Sequence, residues 1–222
     1  MNNHPELIVM LTHNDVTVGN AAEIFEACKD SKANFWGFKE VGLPLEEMKA
    51  LYTRMKECGK TTFLEVVAYT EEECLEGAKM GVACGVDYLL GTLYFDSIND
   101  YCKANGMKYL PFVGKITGRP SVLEGTEEEI IAEAEGLLAK GVAGFDLLGY
   151  RYVGDAVKLN RDFVAEVKAP VVLAGSVNGY KRLDEVKAAN SWAFTIGGAF
   201  FENKFDGTFS EQIDRVVDYM NQ

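Results

Sequence analysis

Histidine is almost absent from this chain: His4 and His13 are the only two in 222 residues, which excludes a metal centre built from clustered imidazoles. Cysteine is scarce too, and the five present (Cys28, Cys58, Cys74, Cys84, Cys102) are an odd number without a Cys-x-x-Cys pair. That pattern excludes a disulfide framework and fits free thiols in a reducing compartment. Positive charge is in deficit, with 22 Lys and Arg against 34 Asp and Glu and a formal charge of −12. The resulting field repels nucleic acid and anionic membranes, so neither is expected as a partner. A small anionic ligand stays admissible, because a nest of backbone N–H groups holds phosphate even on an acidic protein. Proline is limited to five residues and there is no low-complexity tract, so no disordered arm is expected. The opening "MNNHPELIVMLTHND" has no basic stretch, and its apolar run is too short for a signal peptide or a membrane span. A cytoplasmic protein is the expectation, with a homo-oligomer left open.

What the chain has in quantity is alternation. Eight β-rich apolar runs, "ELIVMLTH", "NFWGFKE", "TTFLEVV", "DYLLGT", "YLPFVGK", "GFDLLGY", "PVVLAGS" and "AFTIGG", are separated by amphipathic segments. Most runs are continuously apolar, as strands of a parallel sheet buried on both faces are. Two of the helices announce their starts with Thr-x-x-Glu, Thr70 to Glu73 and Thr126 to Glu129, and both close on glycine, Gly85 and Gly141. Eight strand–helix units in this length predict a single-domain (β/α)8 TIM barrel over residues 1–222. A doubly wound open sheet is the alternative, and it needs fewer units or more residues. In a barrel the reacting groups lie at the C-terminal ends of the strands.

The last two units end alike. "VLAGSVNGYKRL" and "FTIGGAFFENKF" each stop a strand at a pair of small residues, Gly175-Ser176 and Gly197-Gly198, just before a helix-like stretch. Loops after strands seven and eight are where such barrels commonly hold phosphate on main-chain N–H groups. These paired turns resemble the phosphate-gripping end of the ribulose-phosphate-binding barrel superfamily. The resemblance implies that Gly175, Ser176, Gly197 and Gly198 bind phosphate, with the Ser176 hydroxyl as an extra donor, and it leaves the reaction open. The plainer alternative is that the glycines only let each strand turn into its helix.

Charges embedded in apolar strands are costly unless paired or used. Lys39 ends strand two, Glu65 lies in strand three, Lys115 ends strand five and Asp146 lies in strand six; sharing the inward parity, they would converge on one pocket. Glu40 has the opposite parity. A carboxylate and an ammonium on two sides of a sugar phosphate move protons between carbon and oxygen, so Lys39 and Glu65 are the expected proton-transfer pair, with Lys115 and Asp146 polarising the substrate. The competing account is a structural ion pair such as Lys39 with Glu65. His13 and Asn14, after strand one, and Arg119 and Arg151, after strands five and six, are candidate substrate-binding residues. The long connection "GKITGRPSVLEGTEEE" that carries Arg119 is a candidate binding loop.

Isomerase or epimerase activity on a phosphorylated sugar or related metabolite is therefore the leading expectation. A class I-type aldolase or lyase, with a Schiff base on Lys39 or Lys115, is the second; the family resemblance implies a lysine on strand four or six, and neither strand has one. A non-catalytic barrel that senses phosphometabolites is the third. No cofactor is expected, although Glu65 and Asp146 leave Mg2+ open, and the chain looks short for FMN.

Overall fold

The computed structural model describes residues 4–222. Eight parallel strands follow one another: β1 (Glu6–Met10), β2 (Phe35–Lys39), β3 (Thr61–Val66), β4 (Tyr88–Gly91), β5 (Lys108–Leu110), β6 (Phe145–Leu147), β7 (Val171–Leu173) and β8 (Ala193–Ile196). Their order around the sheet, β6-β7-β8-β1-β2-β3-β4-β5, places each beside its sequence neighbour. The remaining seam is bridged by a parallel contact between Phe112 and Asp146, where Asp146 N–H donates to Pro111 O at 3.0 Å and Ala143 N–H to Tyr109 O at 2.9 Å. The expected (β/α)8 TIM barrel is the fold observed.

Around it run α1 (Ala21–Cys28), α2 (Leu45–Glu57), α3 (Glu71–Cys84), α4 (Asp96–Ala104), α5 (Glu127–Ala139), α6 (Ala156–Glu166), α7 (Tyr180–Ala189), the four-residue α8 (Gly198–Phe201) and α9 (Phe209–Met220). The cap signals work as chemistry requires. At α5, Thr126 and Glu129 form a complete reciprocal box. At α3 the Thr70 side chain accepts from Glu73 N–H, and Gly85 closes the helix at φ +66°.

Alternation divides the strand side chains between two cores. Ile8, Met10, Phe63, Leu90, Leu110, Val172 and Ala193 fill the barrel itself, and residues of the other parity pack against the helices. Trp36 meets Phe25 of α1 edge-on at 5.1 Å, and Phe38 stacks on Tyr52 of α2 at 4.2 Å. Phe35, Phe63, Tyr88 and Trp192 cluster at the end of the barrel where the strands begin. Solvent-facing chemistry is thus left to the opposite end. No helix among the described residues is long and apolar enough to cross a membrane.

Two short hairpins were not foreseen from sequence. One continues β1, pairing Thr12–His13 with Val16–Thr17. The other occupies the long connection after β5 and pairs Lys115–Thr117 with Val122–Glu124.

Candidate active site at the C-terminal end of the barrel

The first hairpin builds half of the site. Asn14 and Asp15 both have positive φ, 52° and 62°, the pattern of a two-residue type I′ turn. Thr17 then clips the returning strand to β2: its hydroxyl donates to Lys39 O at 2.8 Å and accepts from Lys39 N–H at 3.0 Å. This delivers the Asp15 carboxylate to Lys39, whose Nζ donates to Oδ1 at 2.9 Å.

Lys39 and Glu65 are register partners on β2 and β3 and point into the barrel, as the parity predicted. Burial opposes the charge on Lys39, but Glu65, Asp15 and Glu40 outweigh it and hold the ammonium above the ordinary lysine range. Burial raises Glu65, offset in part by Lys39. The hydrogen bond from Lys39 is the main cause that lowers Asp15. Lys39 is therefore a fixed cation between two carboxyls, poised to stabilise developing negative charge.

A cleft of about 340 Å³ opens above this group. Asn14, Asp15, Lys39 and Glu65 line one part of it, and Gly175, Ser176, Gly197, Gly198 and Arg151 line another. Each glycine has its own reason. Gly175 sits at φ +84°, and a Cβ there would lie 2.9 Å from Arg151 Cγ, so the missing side chain lets Arg151 lie across the turn. A Cβ on Gly197 would come within 2.7 Å of the Thr12 carbonyl oxygen, which makes this glycine a requirement of packing. On Gly198 the nearest atom would be His13 Cδ2 at 3.6 Å, and nothing in the chain demands glycine there. Ser176, at φ +54°, continues the left-handed turn begun by Gly175.

The Arg151 guanidinium is the other informative group. It follows β6 on a 3-10 turn, Gly149–Arg151; its charge acts on Asp15 and Glu65, but among the described residues its guanidinium makes no salt bridge or side-chain hydrogen bond. An unpaired guanidinium beside turns of small residues is suited to a planar or tetrahedral oxyanion.

Other candidates lie elsewhere. Lys115 does not join the cluster: Gly114 turns the chain away from the barrel at φ +78°, and Lys115 stands on the second hairpin, 71% exposed and paired with Glu124 at 3.0 Å. The expectation that strand five ends at Lys115 is corrected accordingly. Asp146 has the inward parity but is buried at 1% exposure and is not among the residues that line the cleft. His13 stacks on Phe201 at 5.3 Å with Nε2 4.0 Å from Glu202, beside the cleft. Arg119 donates to Val67 O at 2.9 Å, and its neighbour Pro120 reaches the cleft. Glu40 accepts from Val67 N–H at 3.0 Å and braces the loop after β3.

Sequence reading missed Asp15 as the partner of Lys39 and missed Glu202, whose carboxylate lines the cleft. The Asn-Asp pair in "LTHND" was the available signal for Asp15. Among the described residues no three His, Cys, Asp or Glu side chains converge as a metal-ligand set.

No protein-family model and no curated protein sequence matches the chain. Its structure is similar to that of orotidine 5′-phosphate decarboxylase from Pyrococcus horikoshii OT3, with a TM-score of 0.73 and 16% identity over 97% of this chain and 99% of that one. It is also similar to N-(5′-phosphoribosyl)anthranilate isomerase from Pyrococcus furiosus, with a TM-score of 0.65 and 14% identity over 97% and 99%. A third is N-acetylmannosamine-6-phosphate 2-epimerase from Clostridium perfringens, at 0.63 and 16% identity over 97% and 93%. What these structures share with this chain is the (β/α)8 barrel fold, and the likeness extends over nearly the whole chain.

Proposed function

We propose that this protein is a cofactor-independent isomerase or epimerase of a phosphorylated sugar or related phosphometabolite. One observation carries the reading: a single cleft joins the unpaired Arg151 and the small-residue turns to the Asp15–Lys39–Glu65 group. The turns and Arg151 take the phosphate. Glu65 moves a proton on and off carbon, and the Lys39 ammonium stabilises the oxyanion that forms when the proton leaves. The three solved structures compared above are named for enzymes of phosphorylated compounds, a decarboxylase, an isomerase and an epimerase.

The Schiff-base alternative fits less well. A lysine that attacks a carbonyl must be neutral, and the surroundings of Lys39 hold its proton. Lys115 is remote and solvated.

Incubation with pentose and hexose phosphates in deuterated water tests the reading. Deuterium should enter a carbon-bound position of at least one compound, and Glu65→Gln should abolish the exchange while retaining binding. Tight binding across the panel with no exchange would leave a sensor and remove the enzyme. A borohydride-trapped adduct on Lys39 would replace proton transfer with Schiff-base chemistry.

A further inference from the structure

Thr12, His13 and Glu202 meet at the Gly197-Gly198 turn, and none of them acts in the proton transfer proposed above. A Cβ on Gly198 would lie 3.6 Å from His13 Cδ2 and 3.9 Å from Glu202 Oε1, so the space this glycine leaves open is walled by an imidazole and a carboxylate. Glu202 lines the cleft itself. Thr12 lines it too, and although the residue is only 8% exposed, its hydroxyl has no hydrogen-bond partner. A buried polar group left without a partner at the wall of a cleft calls for a polar ligand.

The carboxylate stands against the anchor, because Glu202 and a bound phosphate repel each other. On the side of the turn, the cation able to offset Glu202 is His13, whose Nε2 lies 4.0 Å from Oε1. That separation is within ion-pair reach and too long for a hydrogen bond. The ring is held in place by stacking on Phe201, with centroids 5.3 Å apart and planes at 18°. Lys204 meets the other oxygen, Oε2, at 3.5 Å, but both side chains are about half exposed and such a pair contributes little. The other charged side chains on these segments are Asp15, tied to Lys39 at 2.9 Å, Asp206, exposed before α9, and Glu211, held in the Thr208 capping box. Across the cleft stand Lys39, Glu65 and Arg151.

We infer that His13 is a positioning residue of the anion seat: protonated, it pairs with Glu202 and neutralises that wall, so an anion that binds at the Gly198 turn draws a proton onto His13. Histidine is the side chain that changes charge between about pH 5 and 8. The chain's other histidine, His4, lines a separate cavity with Pro5 and Glu6, where β1 begins. The charged imidazole favours the anion, so affinity is full at low pH and declines as rising pH removes the proton.

This role rests on the anchor proposed above and is independent of the reaction at the other end of the cleft. Sulfate is the probe, since it is tetrahedral like phosphate and stays a dianion where phosphate titrates. Its affinity for the full-length protein is measured by calorimetry from about pH 5.5 to about pH 8, in buffers of different ionisation enthalpy that report proton uptake, and its place is read from the Gly198 and Ala199 amide shifts. Wild-type affinity should fall about fivefold or more over that range, the lower end of ordinary coupling between sites. His13→Gln should bind weakly throughout and take up no proton. Glu202→Gln should bind at high pH about as tightly as the wild type does at low pH. His13 and Glu202 side chains are 33% and 51% exposed, so both substitutions leave the core untouched, and a merely structural role would lower affinity equally at every pH. Wild-type affinity that is constant with pH, or a His13→Gln profile as steep as the wild type's, overturns the inference and leaves the anchor standing. Sulfate that shifts neither amide at any pH removes anchor and inference together. Proton-linked binding in a protein that fails the deuterium exchange retains the inference and removes the enzyme.

Discussion

Three glycines at the mouth of the barrel do three different things, and two of them separate cleanly by mutation. Gly197→Ala places a methyl group 2.7 Å from the Thr12 carbonyl oxygen, a backbone atom that cannot swing aside. Overpacking of this kind costs about 1–3 kcal/mol, so thermal denaturation should show Tm falling by several degrees in a chain of this size. Gly198→Ala meets nothing closer than 3.6 Å and should leave Tm nearly unchanged, yet crowd an anion seated on the turn. Its binding of inorganic phosphate, followed by calorimetry, should weaken several-fold. If Gly198→Ala destabilises the fold as much as Gly197→Ala, the second glycine is a packing residue and its assignment to a ligand is lost. The pair "GG" in sequence looked like one motif. Its two members answer to different neighbours, and Thr12 reaches Gly197 only because β1 and β8, the first and last strands in sequence, lie side by side in the barrel.

The strands carried their meaning in sequence because a period of two is simple: counting residues along each run assigns Lys39 and Glu65 to the inner face, and both point there. Parity failed where the strand stopped. Pro111 and Gly114 interrupt β5, and Lys115 lands on an antiparallel hairpin that apolar patterning had presented as a continuous strand. Asp15 was legible as a turn residue and illegible as the partner of Lys39, since that contact depends on the Thr17 clip to β2. The second hairpin is held at its tip by Tyr69, whose hydroxyl donates to Gly118 O at 2.9 Å and lies 2.7 Å from Ser121 Oγ. Tyr152 OH holds the far side through Gly125 O at 2.9 Å. Tyr69→Phe removes the first anchor at a cost of about 1 kcal/mol for each lost bond. Hydrogen exchange at residues 115–124 should accelerate by roughly an order of magnitude, with Tm little changed. Unaltered exchange would show that Tyr69 does not hold the hairpin.

At the scale of the molecule, an acidic chain of net charge −12 presents one concave place where an unpaired guanidinium meets turns of small residues, next to a lysine held as a cation. The barrel makes this arrangement from residues scattered along most of the sequence, from Asp15 to Gly198. Closure through Phe112 and Asp146 brings Arg151 on one side of the seam and Lys39 on the other into the same cleft. Fold alone does not choose a reaction, and every role assigned to the reacting end presupposes an anion anchored at the other. Titration of 15N-labelled protein with inorganic phosphate tests that anchor directly. Saturable shifts confined to the backbone amides of Ser176, Val177, Gly198 and Ala199 and to the Arg151 side chain are the predicted result, and shifts absent there or scattered over surface lysines would contradict it.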